Sequence, residues 1–243
     1  KLIQELNDVV IVFLNFVVSK FGPVAIFMLL TRTFASYGVE HLKPAVAYVI
    51  LTVALLLIFL IIGYPAFIAI FAHLDPFKFA KKITRVAVFG FSTSSSAATL
   101  PLNVKTTVEE LGVDEKIASF VLPLGMTINM NGTAIMQVIA TLFIAGCAGY
   151  SISFTQLVVI ALLALIASAG TPAAPGSGAI ILFTILSGLG YVNDAAMLAY
   201  SLILAINRPI EMLVTALNVV GDSATSIYVA KSEGVLNEDV YNA

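Results

Sequence analysis

Between Lys43 and Asp75 the chain carries no Asp, Glu, Lys or Arg, and most side chains in that interval are aliphatic or aromatic. A helix needs about 20 mostly apolar residues to cross a bilayer, so residues 45–72 read as a spanning helix. The rest of the sequence points to the same solvent. Of its residues 60% are hydrophobic and 11% charged, against roughly 25% charged in an average soluble domain, too few to cover a folded surface in water. The same figures exclude disorder, collagen and a disulfide-rich secreted scaffold. Cys147 is the sole cysteine, which excludes an intrachain disulfide and a cysteine-based metal cluster. A formal net charge of −2 offers no basic field for nucleic acid. The sequence opens at Lys1 without a signal peptide, and we expect a piece of a longer protein.

A further apolar segment covers 9–35, interrupted by Lys20 and Pro23. Beyond the basic cluster Lys78, Lys81, Lys82 and Arg85, segment 86–103 is too short and too rich in Ser and Thr to span. A charged connector at 105–116 leads into 117–230, which holds only four charges, Asp194, Arg208, Glu211 and Asp222. Residues 117–147 and 197–230 are long enough to cross, whereas 155–190 is broken at its centre by "AGTPAAPGSGA". Irregular backbone at membrane depth survives only where protein or water surrounds it. Both 86–103 and 155–190 are therefore expected to be re-entrant hairpins rather than surface loops. Placing the basic connectors at 78–85, Lys105, Lys116 and Lys231 in the cytoplasm leaves the uncharged loop "GYSISFTQ" outside. The outcome is an all-α polytopic membrane protein with hairpin plus helix repeated in opposite orientations. Each helix is expected to be interrupted by an Asn/Gly motif, "NMNGT" and then "NVVGD". Inverted repeats with interrupted segments in matching places point to a secondary transporter with a site near the midplane.

Asp222 is the sharpest single residue, because an ionised carboxylate inside an apolar helix is costly and functional by default. Asn218 lies one turn before it on the same face, and positions 207, 211, 214, 215, 218 and 222 line that face together. Carbonyls freed by helix breaks near Gly132 and Gly221 would suit a hard cation. Arg208 has two readings: an i,i+3 pair with Glu211, or a partner for an anionic group on a substrate. Pro209 removes a donor and is expected to bend this stretch. His41 and His73 read as interfacial, Met126, Met130 and Met136 as packing residues, and 232–243 as a flexible tail that frays.

With "STSSSAATLP", "TINMNGTA", the Pro-Gly-x-Gly hairpin at 175–178 and "NVVGD" in that order, the sequence resembles the dicarboxylate/amino acid:cation symporter family, the glutamate-transporter homologues. The resemblance covers roughly 80–234, 9–75 fits the two preceding helices, and four earlier helices would be missing. It implies a homotrimer in the plasma membrane, in which a static scaffold holds elevator-like transport domains. Residues 1–37 would then be a scaffold-type helix, and 38–231 the transport domain, made of helix 45–75, hairpin 80–113, broken helix 114–150, hairpin 155–190 and helix 191–231. For co-transported Na⁺ the matching ligands are Gly125, Asn129, Asn218 and Asp222, and for a second ion Thr127, Ser168, Ala169 and Thr171. A third site in the family uses an Asp where this chain has Asn131. For an amino acid substrate, Glu211 matches the ligand of the α-amino group. Asn218, Thr133, Ser95 and Ser96 match those of the α-carboxylate, with Thr215, Asn207, Ala174 and Gly178 beside them.

Two departures bear on selectivity. Relatives that carry acidic amino acids place an Arg in the eighth helix, where Val214 stands here, and some place another in the first hairpin, where Ser94 stands. A second substrate carboxylate beside Val214 would be an unpaired buried charge, costing several kcal/mol. The expectation is sodium-coupled symport of a neutral amino acid without an organic cofactor; the alternative is a sodium- or proton-coupled glutamate, aspartate or dicarboxylate symporter using Arg208. An intramembrane aspartyl protease would need a second carboxylate facing Asp222, and a serine hydrolase at "PGSGA" a histidine at depth. A channel is the closer rival, since re-entrant hairpins also build filters. A purely structural scaffold would show no response to sodium.

Overall fold

A helix satisfies its own backbone in hydrocarbon, and among the described residues all regular structure is helical. The computed structural model describes residues 42–243 and, before them, only Phe16, Lys20, Phe21, Val24, Phe27, Met28 and Thr31, all helical. The remainder of the scaffold-type helix expected over 1–37, and His41, lie outside the described residues. Helix α1 (Leu42–Ile58) continues through two π-helical turns, Phe59–Gly63 and Ile68–Ala72, which flank one α turn, Tyr64–Phe67. Among the described residues, three stretches are long and apolar enough to cross a membrane: Ala45–Ala72, Glu115–Cys147 and Arg208–Ser232.

The segment expected to form the first hairpin holds α2 (Pro76–Thr93) and α3 (Ser96–Glu109). Asp75 starts α2 by accepting from the amides of Phe77 and Lys78. At the tip, Ser94 takes φ +51° and Ser95 caps α3 by accepting from the amide of Ala98. Helices of 18 and 14 residues are about 27 and 21 Å long, shorter than the roughly 30 Å of hydrocarbon. The segment expected to form the second hairpin holds α6 (Phe154–Ala169), opened by a Ser153–Gln156 capping box, and α7 (Ser177–Leu189), entered through Gly176 at φ +83°. Between the hairpins lie α4 (Glu115–Ile128) and α5 (Asn131–Cys147), interrupted at Asn129 and Met130, just before Gly132.

The expected single helix over 191–231 is divided at Asn207 into α8 (Asp194–Ile206) and α9 (Arg208–Ser232). Pro209 falls in the first turn of α9, where its missing N–H has no helical acceptor to lose, so it starts the helix instead of bending it. The interruption expected at "NVVGD" does not occur, because α9 runs unbroken through Gly221. From Ile210 to Ala224 every residue of α9 except Met212 is buried. Its neighbours fix its direction. Asn103 donates to the Val219 carbonyl at 3.0 Å and Thr107 meets Ser223 at 3.1 Å, so α3 and α9 run parallel. Gly132 meets Asn218, and Met136, one turn on, meets Asn207, so α5 runs the other way.

The flexible tail expected over 232–243 is corrected by the structure. A last helix, α10 (Glu238–Asn242), seats Tyr241 with no exposed surface. The Tyr241 hydroxyl donates to the Asp75 carbonyl at 2.7 Å, and the Asn237 amide to the Gly112 carbonyl at 2.8 Å. Lys82 binds the carbonyls of Glu110, Val240 and Tyr241, and Lys231 pairs with Glu238. One aromatic side chain thus turns a polar tail into a clasp on the base of the first hairpin. Tyr241→Ala is expected to destabilise the protein by about 3 kcal/mol, as large-to-small changes at buried aromatics do. A thermal melt of the full-length protein in detergent checks it, and an unchanged midpoint would mean the clasp contributes nothing.

Candidate functional site

The interruption at Asn129 and Met130 leaves the first amides of α5 without helical acceptors, and α9 supplies one. Asn218 Oδ1 accepts from the Gly132 amide at 2.8 Å, and Asn218 Nδ2 donates to Thr133 Oγ1 at 3.1 Å. A Cβ on Gly132 would lie 2.8 Å from the Val214 carbonyl oxygen, so only glycine allows the two helices to come this close. Asn218, one turn from Asp222, thus ties the broken helix to the buried one.

Nine residues expected to bind substrate line one cavity of about 30 Å³: Ser94, Ser96, Thr133, Ala174, Gly178, Glu211, Val214, Thr215 and Asn218. Thr171, expected at a cation site, lines it as well, and Met130, Met136, Pro172 and Ala173, which sequence reasoning missed as lining residues, complete the walls with Gly176 and Ser177. Glu211, only 7% exposed, is the sole ionisable side chain in the lining. Its Oε1 accepts from the Ala179 amide at 3.2 Å, and its Oε2 lies 3.9 Å from Arg208 Nη1. The i,i+3 reading of Arg208 therefore describes its position, with the arginine side chain 48% exposed and outside the lining. A Cβ on Gly178 would meet Met136 Cε at 3.0 Å and Thr133 Cγ2 at 3.3 Å, so the second hairpin also needs a glycine to cross α5.

The two hairpin tips meet over this cavity. Ser95 Oγ donates to the Ala173 carbonyl at 2.8 Å, and the Ala97 amide reaches the same oxygen at 3.5 Å. Ser95 is thus a tip-to-tip link and not part of the lining. Ser94 and its buried hydroxyl, which has no hydrogen-bond partner among the described residues, do line it. Asn207 is not among the lining residues but lies beside Glu211 at the α8–α9 junction, where its Oδ1 accepts from the Tyr48 hydroxyl at 2.6 Å. Tyr48 is a further residue that sequence reading passes over, since nothing in an apolar helix marks one tyrosine as a polar partner.

Asp222, 2% exposed, lies one turn below Asn218. Asn129 Nδ2 donates to its Oδ1 at 2.9 Å, and a Cβ on Gly125 would stand 2.7 Å from the same oxygen. The structure thus gathers Gly125, Asn129 and Asp222, with Asn131 next to them bonding to Asn129 Oδ1 at 2.8 Å. No basic side chain among the described residues pairs with Asp222. Of the second expected cation set, Ser168 and Thr171 are buried at the end of α6, while Thr127 and Ala169 are exposed. The hydroxyls of Thr127, Ser168 and Thr171 bond to the carbonyls of Leu124, Leu165 and Ala167.

Replacing a helical glycine by alanine ordinarily gains about 1 kcal/mol. Gly125→Ala is expected instead to destabilise by about 1–3 kcal/mol, because the methyl group overpacks against the Asp222 carboxylate. Gly146→Ala, with open space around its Cβ, is the control and is expected to be neutral or slightly stabilising. Melting curves of the two variants check the contrast, and equal behaviour would deny the tight approach at Gly125.

Comparison with known proteins places the chain. The profile of the sodium:dicarboxylate symporter family matches residues 1–232. A proton/sodium-glutamate symport protein of Bacillus caldotenax is 31% identical over 223 residues, 91% of this chain and 51% of that protein. A putative sodium-dependent excitatory amino acid transporter of Caenorhabditis elegans is 32% identical over 192 residues, 79% of this chain and 38% of its own. Excitatory amino acid transporter 1 of Rattus norvegicus is 34% identical over 176 residues, 72% of this chain and 32% of its own. The chain thus spans between about a third and a half of the length of these relatives. It is part of an integral membrane protein, and it belongs to the sodium:dicarboxylate symporter family.

Proposed function

We propose that the chain is the substrate-carrying part of a sodium-coupled amino acid symporter that takes neutral amino acids in preference to glutamate or aspartate. The observation that carries this reading is the charge inventory of the cavity, one carboxylate and no basic group among its lining residues. Glu211 suits the ammonium of an amino acid. The Ser94 hydroxyl, Thr133, Asn218 and the first-hairpin backbone offer donors to its carboxylate. A second carboxylate would meet the methyl groups of Val214 and the like charge of Glu211, at a cost of several kcal/mol. The relatives' names speak for glutamate, and Arg208 beside Glu211 is the observation that favours an acidic substrate. Its outward position speaks against it.

Asp222 is the residue we assign to sodium. A buried carboxylate without a basic partner is stabilised by a cation, and Asn129, Asn218 and nearby carbonyls offer the oxygen ligands such an ion takes. A cavity of about 30 Å³ has room for roughly two waters and none for an amino acid. We assign substrate entry to an opening of the Ser95–Ala173 link. Movement of 38–231 as an elevator against a scaffold helix at 1–37, in a homotrimer of the plasma membrane, completes the reading.

Reconstitution of the full-length protein into liposomes tests it. Labelled alanine and serine are expected to accumulate only under an inward Na⁺ gradient, with aspartate and glutamate taken up at least about tenfold less well, the consequence of more than 1.4 kcal/mol of unpaired charge. Asp222→Asn is expected to abolish the sodium response. Uptake of acidic substrates lost in Arg208→Ala would establish the alternative, and uptake indifferent to sodium would remove the cation assignment.

A further inference from the structure

Tyr64 stands in Ala45–Ala72, the most apolar of the three long stretches among the described residues, yet it is buried and its hydroxyl enters the Asp222 cluster. Asn131 Nδ2 donates to the Tyr64 hydroxyl at 3.1 Å and to Asn129 Oδ1 at 2.8 Å, and Asn129 Nδ2 donates to Asp222 Oδ1 at 2.9 Å. A Cβ on Gly221 would overlap the Tyr64 hydroxyl and stand 2.8 Å from Asn129 Nδ2, so the glycine makes the space that the hydroxyl occupies. π-Helical turns lie on either side of Tyr64–Phe67. Such turns interrupt the ordinary helical period, and Tyr64 packs edge-on against Phe59, five residues earlier, at 5.1 Å between centroids.

We propose that Tyr64 is a positioning residue for the cation site at Asp222, anchoring a hydrogen-bond chain Asp222–Asn129–Asn131–Tyr64 whose direction reverses when a cation binds. The proposal rests on the sodium reading of Asp222 given above. In the arrangement described, the Asn129 amide nitrogen faces the Asp222 carboxylate. A cation on Asp222 repels that NH₂ group and calls for Asn129 Oδ1 in its place. Asn129 Nδ2 then turns to Asn131, which must offer an oxygen, and the turned Asn131 presents that same oxygen to Tyr64. A phenol hydroxyl both donates and accepts, so every member stays bonded in both directions. A carboxylate at 131 could not donate to Asn129, and a phenyl ring at 64 could not follow the reversal. The cation-bound direction depends more on the hydroxyl, because hydrogen bonds lined up behind a cation-ligated amide polarise one another.

The experiment measures the Na⁺ concentration for half-maximal thermal stabilisation of the full-length protein, with choline chloride holding ionic strength. It is paired with sodium-driven uptake. Tyr64→Phe is expected to raise the half-maximal Na⁺ concentration by up to about fivefold, the limit set by one neutral hydrogen bond needed in the cation-bound direction alone. It is expected to lower the melting temperature in choline only slightly, through the lost Asn131 bond, whereas a merely structural role would lower that temperature without moving the sodium midpoint. Asn131→Ala is expected to raise it similarly, and Tyr64→Phe on that background to add less than about twofold, since the chain is already cut. Should Tyr64→Phe fail to fold, Asn131→Ala alone decides by the same readout. An unchanged sodium midpoint in the single variants, or shifts that multiply in the double variant, would overturn the proposal. No sodium stabilisation of the unaltered protein would overturn the sodium reading itself.

Discussion

A helix interrupted inside apolar surroundings exposes backbone groups that something must satisfy, and here one amide side chain does much of that work. Asn218 accepts from the Gly132 amide and donates to Thr133, closing the start of α5 from a neighbouring helix. The Met130 position before α5 offers no side-chain cap of its own. The closeness this requires is set by Gly132 on one side and by an α9 buried from Ile210 onward on the other. Asp222 one turn below and Val214 and Glu211 above share the helix that Asn218 anchors. The candidate ion site and the candidate substrate site thus sit on either side of a single hydrogen-bonded joint.

The hairpins close this arrangement from above by a light connection. Their tips touch through Ser95 and the Ala173 carbonyl, while their outer arms expose large side chains such as Phe89, Ile166, Ile180 and Phe183, as an apolar solvent permits. A neutral hydrogen bond between tips contributes about 1 kcal/mol, small enough for a substrate to replace. At the far end the first hairpin is held much more firmly. Tyr241, Lys82 and the Gly112–Asn237 contact bind α2, the turn after α3 and α10 together. One end of the hairpin is therefore clasped and the other lightly latched, and opening at the tip needs no disturbance of the base.

Much of the candidate site was legible because its residue types are out of place in hydrocarbon. Asp222, Asn218 and Glu211 stand out on one helical face, and small-residue runs mark both hairpin tips. Tyr64, Tyr48 and Tyr241 were not legible. A tyrosine in an apolar run has the same hydropathy whether its hydroxyl faces lipid headgroups or a buried carboxylate cluster, and two π-helical turns leave no mark on an apolar pattern. Gly221 misled in the opposite sense: read as a helix breaker, it is a place where another side chain needs the room of a missing Cβ. Asn207, expected in the binding face by its spacing, lies where α8 and α9 join, beside Glu211 and bonded to Tyr48, and the Tyr48 partner was not legible.

The sequence by itself determined the apolar solvent, the helical class, the breaks inside the two hairpins and at Asn129–Met130, and the few polar residues that membrane burial makes costly. Those are consequences of composition and period, and they need no knowledge of which helix lies beside which. Tertiary structure alone decided that the hairpin tips share one cavity, that the polar tail folds back as a clasp, and that Tyr64 reaches Asp222 through two asparagines. Each of these joins side chains from different helices, in one case 166 residues apart. Such pairings are set by the close approach of neighbouring backbone at Gly132 and of neighbouring side chains at Gly125, Gly178 and Gly221, a property of packed surfaces that no local pattern encodes.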